Sequence, residues 1–483
     1  MIADSRDFVL WVAGFERMGS ARDWAEDEFG EAQFGDVRRA RRLVALAAEV
    51  AQQPSGTVTG ACRSSASKEG AFRWLESRAV SLEPLAAAAQ RSALRRCAAL
   101  ERAVVPIDAT SLTLTDKARR KGFGAVGSWR QGSQGVHAMT ALALDQEGTA
   151  VGIAAQKFWV RKRPSKAKKS ASPANCETSF WLDTLAETHA AFREQAPDTE
   201  AWFQLDRGAD CWPVLEIATE HRMLLTVRAA HDRRVDTSAG RLWDEVEAAP
   251  VRMAFKIAVP QRAKVRKRRR INGRRVEWTI TRKARVAELA VRAVQVPLCL
   301  RDDETILYNA VLVQERHRRG DDRIEWMLLT THPIRTRADI RAVVDAYALR
   351  WKIEEFHRTW KRGRCRVEDT QLRSKQAVLK WATILASVAT RAMRLTYQAR
   401  ETPDAPATEE LTRFEIDAII ALRQPKGIKL GHEPTLGQAV RWIADLGGYA
   451  NPHQGPPGPT VVGRGLDNVL AAARAFENRD KMR

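Results

Sequence analysis

Apolar and polar positions along this chain follow two rhythms, and the change from one to the other divides it into zones. Residues 22–52 carry a helical stripe of Trp24, Phe29, Phe34, Leu43, Leu46 and Val50 beside the basic cluster Arg38, Arg39, Arg41 and Arg42. Pro54-Ser55-Gly56 ends that segment, and a second helical stretch runs from Ser67 to Glu76 with Lys68 and Arg73 on it. From Ala103 the period becomes that of strands: Ala103–Asp108 is a short apolar run, and Thr110–Thr115 alternates polar residues with Leu. His137–Leu144 and Ala150–Trp159, joined by the turn Asp145–Gly148, predict a β-meander. An amphipathic helix from about Glu177 to Phe192 and a buried strand Trp202–Asp206 follow. Strands alternating with helices point to a mixed α/β core.

Between about Val235 and Pro333 the pattern is almost purely β-like, with Ile271-Asn272-Gly273-Arg274 as a hairpin turn within the basic run Arg262–Arg275. This predicts a β-subdomain inserted in the α/β domain. Helical periodicity returns over Thr336–Lys361 and Ser374–Arg400. Pro403–Pro406 reads as a linker, and the tail from about Glu409 as short helices broken by the Gly/Pro-rich loop Asn451–Pro459. The expected division is a helical N-terminal domain over 1–80, an α/β domain over 81–400 and a helical C-terminal domain over 401–483.

Composition narrows the function classes. With 483 residues, 44% apolar and 29% charged, the chain is too hydrophobic to be disordered and too long to be a disulfide-stapled scaffold. Eighty basic against 59 acidic side chains leave a net charge of +21, which favours a polyanionic partner. No two of the six cysteines have the short spacing of a zinc knuckle or redox motif. The run Phe8–Phe15 makes a poor signal peptide, and Trp381–Thr390 is far shorter than a membrane span. A soluble cytoplasmic protein without membrane contacts is expected.

Two aspartates, Asp108 and Asp206, each end an apolar strand, a placement suited to holding hard divalent cations and equally common in structural turns. At about 100° per residue, Tyr347, Arg350, Glu354 and Lys361 share a roughly 60° sector of one predicted helix. A core-facing stripe would be apolar. This one sets two cations and a phenol beside a carboxylate, which suits a metal-ligating acid flanked by groups that grip phosphate oxygens. The alternative is a surface salt-bridge helix, because Arg350 and Glu354 are also an i,i+4 pair.

The stretch from Tyr347 through Arg350 and Glu354 to Lys361 resembles the Tyr-Arg-Glu-Lys signature of bacterial cut-and-paste DDE transposases, insertion-sequence family four, transposon-five-like branch. Asp108-Ala109-Thr110-Ser111 is similar to the segment bearing that family's first catalytic aspartate. Asp206-Arg207-Gly208-Ala209-Asp210 is similar to its second motif, with Gly208 in place of a glutamate. Trp326-Met-Leu-Leu-Thr resembles the segment whose tryptophan receives a base flipped from the transposon end. Gly35-Asp36-Val37-Arg38-Arg39 and Glu69-Gly70-Ala71-Phe72-Arg73 resemble the N-terminal DNA-binding domain, and Ala444–Tyr449 resembles the C-terminal region.

The resemblance implies a ribonuclease-H-like mixed sheet with the inserted β-subdomain, and Asp108, Asp206 and Glu354 as catalytic ligands of two Mg²⁺ ions, with Mn²⁺ able to substitute. It implies double-stranded DNA as partner, a homodimer on DNA, and nicking, hairpin formation and strand transfer as the reaction. Tyr347, Arg350, Lys361, Trp326 and Arg228 are the implied DNA contacts of the catalytic domain, and Arg38, Arg39, Arg42, Lys68 and Arg73 those of the N-terminal domain. His357 fits packing better than metal ligation. Two rival functions are a transposase-derived DNA-binding or inhibitor protein without catalysis, and a ribonuclease-H-like nuclease that stops after hydrolysis.

Overall fold

The protein is described here by a computed structural model covering residues 21–127, 132–161, 178–259, 262–271, 274–299, 304–318, 323–449 and 456–481. The basic loop Arg161–Pro173 lies outside these residues from 162 onward. The chain divides into two compact units, one formed by residues 1–204 with 349–483 and the other by residues 205–348.

In the first unit the expected single helical stretch over 22–52 is two helices, α1 (Ala21–Phe29) and α2 (Val37–Gln52). Gly35 breaks the stripe with φ +73, a backbone open to glycine at little cost, and the Asp36 side chain then caps α2 through the Arg38 amide. Two further helices follow, α3 (Val58–Ala61) and α4 (Ser65–Glu76), capped by Thr57 and Ser64. Phe34 meets Trp74 edge to face at 5.6 Å, closing this helical group around its own apolar centre. Helix α5 (Glu83–Cys97) leads into β1 (Arg102–Thr113), β2 (Gly124–Ala125), β3 (Gln134–Leu144) and β4 (Ala150–Trp159). Asp145 orders the β3–β4 turn by accepting the Glu147 and Thr149 amides. Helix α6 (Thr178–Gln195) precedes β5 (Glu200–Leu205). Strand β1 lies between β3 and β5, and it pairs antiparallel with β3 with Asp108 opposite Thr140.

The second unit begins with α7 (Trp212–Glu220), β6 (Leu224–Arg228) and α8 (Leu242–Ala248). Six strands follow: β7 (Val251–Val259), β8 (Arg262–Ile271), β9 (Arg274–Arg282), β10 (Arg285–Cys299), β11 (Thr305–Glu315) and β12 (Glu325–Thr330). Strands β6, β12, β11, β10 and β7 are antiparallel neighbours in that order, whereas among the described residues β8 and β9 pair with each other alone; the expected Asn272-Gly273 turn lies outside the described residues. The β-rich stretch is therefore largely as expected, with α8 as the helix that the pattern did not announce. Helix α9 (Arg337–Leu349) closes the unit.

Back in the first unit, α10 (Lys352–Lys361) is separate from α9. The expected continuous helix over 336–361 is interrupted at Arg350 and Trp351. There the amides of Ile353 and Glu354 bond three residues back, to Arg350 and Trp351, in a tightened 3₁₀-like turn. A 3₁₀ turn advances about 120° per residue, so the single-helix wheel does not carry across the junction. Helix α11 (Lys375–Glu401), capped by Ser374, is buried along most of its length. Its apolar character is that of a central core helix, and no helix among the described residues is long and apolar enough to cross a membrane. Helices α12 (Arg413–Arg423) and α13 (Leu436–Leu446) each start with a reciprocal capping box, Thr412 with Glu415 and Thr435 with Gln438, and pack with α14 (Pro459–Lys481) around their own apolar cluster. The whole is a mixed α/β fold.

Buried polar contacts tie α11 to the N-terminal helices. Lys380 donates to the carbonyls of Ser77 and Val80, the Trp381 indole donates to the Gly56 carbonyl, and Glu76 accepts from the Arg373 amide and the Ser374 hydroxyl. The Lys380 ammonium and the Trp381 indole would be costly to bury unpaired, so their contacts specify how helix group and core dock, while the Glu76 contacts lie nearer the surface.

Candidate active site

Strand β1 is buried from Ala103 to Ile107 and becomes half-exposed at Asp108, so the carboxylate stands where the strand leaves the core. Opposite it, the turn before α10 presents Arg350, and the first turn of α10 presents Glu354. The Arg350 guanidinium lies 3.0 Å from Glu354 and 4.0 Å from Asp108. Two acids from distant parts of the chain thus converge on one cation. Arg350 is only 14% exposed, against 19% for Asp108 and 33% for Glu354, so the pairing is partly sheltered from solvent screening.

Helix α10 is held by its opposite face. Phe356 and Trp360 stack at 5.6 Å, and the Trp360 indole donates to the Ala382 carbonyl of α11. Glu355 bonds the Tyr397 hydroxyl, and Lys352 lies over the Tyr397 ring. Burial pushes Lys352 down to about 8 despite the carboxylate beside it. His357 is buried, and burial together with the Lys361 and Arg350 charges drives its pKa down to about 3. It packs as a neutral ring.

At the far end of α10, Lys361 reaches β1 and donates to the Thr110 hydroxyl at 3.3 Å. Glu368, on the 3₁₀ turn Val367–Asp369, lies 3.8 Å from Lys361, 3.3 Å from Arg362 and accepts the Thr113 amide at 2.8 Å. Sequence patterns did not single out Glu368. It belongs to no periodic face, and its partners are assembled only by the packing of the turn on β1.

Asp206 lies in the second unit, where it caps the 3₁₀ turn Arg207–Ala209 by accepting the Gly208 amide at 2.7 Å. Four residues on, Asp210 is buried against Arg233 and accepts the amides of Ala230 and His231, which fastens that turn to the chain just past β6. The same unit holds Arg228, whose guanidinium donates to the Glu325 carbonyl, and Trp326, half-buried and edge to face with Tyr347 at 5.3 Å. Tyr347 is itself 4% exposed. Tyr347 ends up on α9, while Arg350, Glu354 and Lys361 belong to the junction and α10.

In the N-terminal helices the expected DNA contacts separate into two groups. Arg39 donates to the carbonyls of Phe34 and Ala79, and Arg42 to that of Ser67, so both brace the helices internally. Arg38 and Arg73 are exposed, the latter paired with Glu69, and Lys68 is half-exposed.

The carboxylates are hard oxygen donors, and Asp108 and Glu354 already share one counter-cation, which is the chemistry a divalent ion would find here. Among the described residues no group of three or more His, Cys, Asp and Glu side chains lies close enough together to hold a metal ion.

Residues 21–80 match the family described as transposase DNA-binding, and residues 231–390 match the transposase DDE domain. The first match spans α1 to α4; the second contains Glu354 and begins after Asp108 and Asp206. Together they support a DDE-type DNA transposase with DNA as its partner.

Proposed function

We propose that this protein is a cut-and-paste transposase of insertion-sequence family four, with Asp108, Asp206 and Glu354 as its catalytic carboxylates on a ribonuclease-H-like core. The observation that carries the reading is the convergence of Asp108 and Glu354 on Arg350, within a chain matched by both a transposase DNA-binding and a DDE family. The three acids would hold two Mg²⁺ ions. Such ions supply Lewis-acid stabilisation of an attacking and a leaving oxygen at phosphorus.

The rest of the chemistry belongs to the side chains. Phosphodiesters repel anionic nucleophiles, so cations that neutralise the phosphate oxygens lower the barrier. Arg350, just before α10, and Lys361, at its end, would supply that charge beside the carboxylates that would hold the metal. Trp326 offers aromatic surface for an extruded base at the transposon end, with the buried Tyr347 packed edge to face behind it and Arg228 in the same unit. Arg38, Lys68 and Arg73 contact DNA through α2 and α4 of a DNA-binding domain over residues 1–80, and the helices after residue 401 carry the homodimer contact that paired cleavage of two ends requires.

The test is cleavage of DNA carrying the inverted repeats that flank the coding sequence. In Mg²⁺ or Mn²⁺ the wild type should nick and then join 3′ ends to target DNA, and Glu354→Ala or Asp206→Asn should abolish nicking while binding persists. Undiminished cleavage by either variant refutes the catalytic assignment. Gly208, which stands where the second motif has a glutamate, keeps one rival open, a DNA-binding protein without catalysis; repeat binding without nicking by the wild type would establish it.

A further inference from the structure

Glu368 belongs to neither signature, yet it sits where β1 and α10 meet. Its carboxylate accepts the Thr113 amide at 2.8 Å, five residues after Asp108, and faces the Lys361 ammonium at 3.8 Å, seven residues after Glu354. It is 12% exposed, and Lys361 is 20% exposed. The turn that presents it is fixed independently. Arg366 just before it holds a left-handed backbone at φ +50, its side chain pairs with Asp369, and its carbonyl packs so close to Gly56 that a Cβ there would lie 1.9 Å away. A non-glycine residue in that conformation persists only where the surroundings dictate it.

We infer that Glu368 is a positioning residue: it holds Lys361, charged and aimed along β1 through Thr110, as the phosphate-gripping cation of the site. The inference rests on the transposase reading for what Lys361 grips, and on geometry alone for what holds Lys361. A half-buried ammonium pays for desolvation, which lowers its pKa, and the opposed carboxylate counters that loss. The charged and titratable groups that act on Lys361 are Glu368, the adjacent Arg362 and the neutral His357 one turn earlier, while β1 contributes the uncharged Thr110 hydroxyl. Arg362 lowers the Lys361 pKa further and is itself drawn to Glu368, so one acid serves two cations.

The test uses the full chain and two readouts. Glu368→Gln keeps an oxygen for the Thr113 amide and removes only the charge. Competitive acylation of Lys361 against pH, read by mass spectrometry without DNA, should show its titration moving down by about one unit or more. In repeat-DNA cleavage, KM should rise on the order of tenfold with kcat changed less than about twofold, and the alkaline limb of kcat/KM should move to lower pH with it. Glu368→Ala should add loss of the Thr113 contact and a lower melting temperature. An unmoved Lys361 titration in a folded Glu368→Gln protein overturns the inference, as does an equal fall in kcat and kcat/KM with no shift of the limb. If the wild type cleaves no DNA, the transposase reading fails separately, and the acylation result still decides what holds Lys361.

Discussion

Asp210→Ala should be among the most damaging single changes in the second unit, because it strands a buried charge. Asp210 and Arg233 form an ion pair at 2.8 Å with side chains 0% and 5% exposed, and Arg233 also lies over the Trp212 ring at 4.5 Å. The carboxylate accepts the Ala230 and His231 amides as well. Truncation therefore leaves the guanidinium without its carboxylate, keeping the Asp210 carbonyl and the Trp212 ring, and two backbone donors without their acceptor. Breaking one side of such a pair costs about 3–5 kcal/mol, whereas replacing both partners with well-packed apolar groups can be close to neutral. The Asp210→Ala, Arg233→Met double variant should accordingly recover the part of the loss that comes from the stranded charge, while the two amides stay unpaired at about 1–3 kcal/mol each. At roughly 2–4 °C per kcal/mol for a unit of this size, Asp210→Ala should lower the melting temperature by on the order of 10 °C. Urea denaturation of wild type, both single variants and the double variant gives the cycle directly. A loss below about 1 kcal/mol for Asp210→Ala, or strict additivity in the double variant, would refute the argument. The same substitution should impair cleavage beyond its effect on stability, since Asp210 fastens the turn that carries Asp206.

Three further outcomes follow from the structure. Burial pushes the thiols of Cys62, Cys97 and Cys365 up to about 11, 12 and 12, so in the folded protein at pH 8 a thiol reagent should modify the half-exposed Cys211 and Cys299 before these three; rapid labelling of Cys97 or Cys365 would contradict their burial. His357 is held neutral with a folded pKa of about 3 against 6.5 unfolded, so the unfolded chain binds the extra proton between those values and stability should fall as pH drops from 6.5 towards 3, by about 2 kcal/mol at pH 5. Denaturation of His357→Phe across pH 4–7 should lack that component of the slope. DNA affinity should fall steeply and linearly on a log scale with salt, given the net charge of +21, and Arg38→Ala should flatten the slope by about one unit while Arg39→Ala acts through folding instead.

Local pattern was a good guide wherever one face of an element meets the core. The meander of β3 and β4 and the long α11 are buried almost throughout and show in the sequence as apolar runs, whereas β7 and β10 of the antiparallel β-rich stretch show more alternation of buried and exposed positions. The misses occur where backbone geometry intervenes: Gly35 divides the first helical stripe, and the 3₁₀ junction at Arg350 divides the signature helix. A wheel drawn through that junction groups Tyr347 with Glu354 on one helix, and the chain places them on two.

Which residues could do chemistry is legible in the chain alone: carboxylates at strand and helix ends, cations spaced around one of them, and a net charge suited to a polyanion. Which of these groups meet depends on packing. Arg350 faces both Asp108 and Glu354, Glu368 becomes the partner of Lys361, and Arg39 and Arg42 turn inward to brace backbone carbonyls. The reason is physical: periodicity records only whether a position faces water, whereas a charge finds its partner through contacts between segments far apart in the chain.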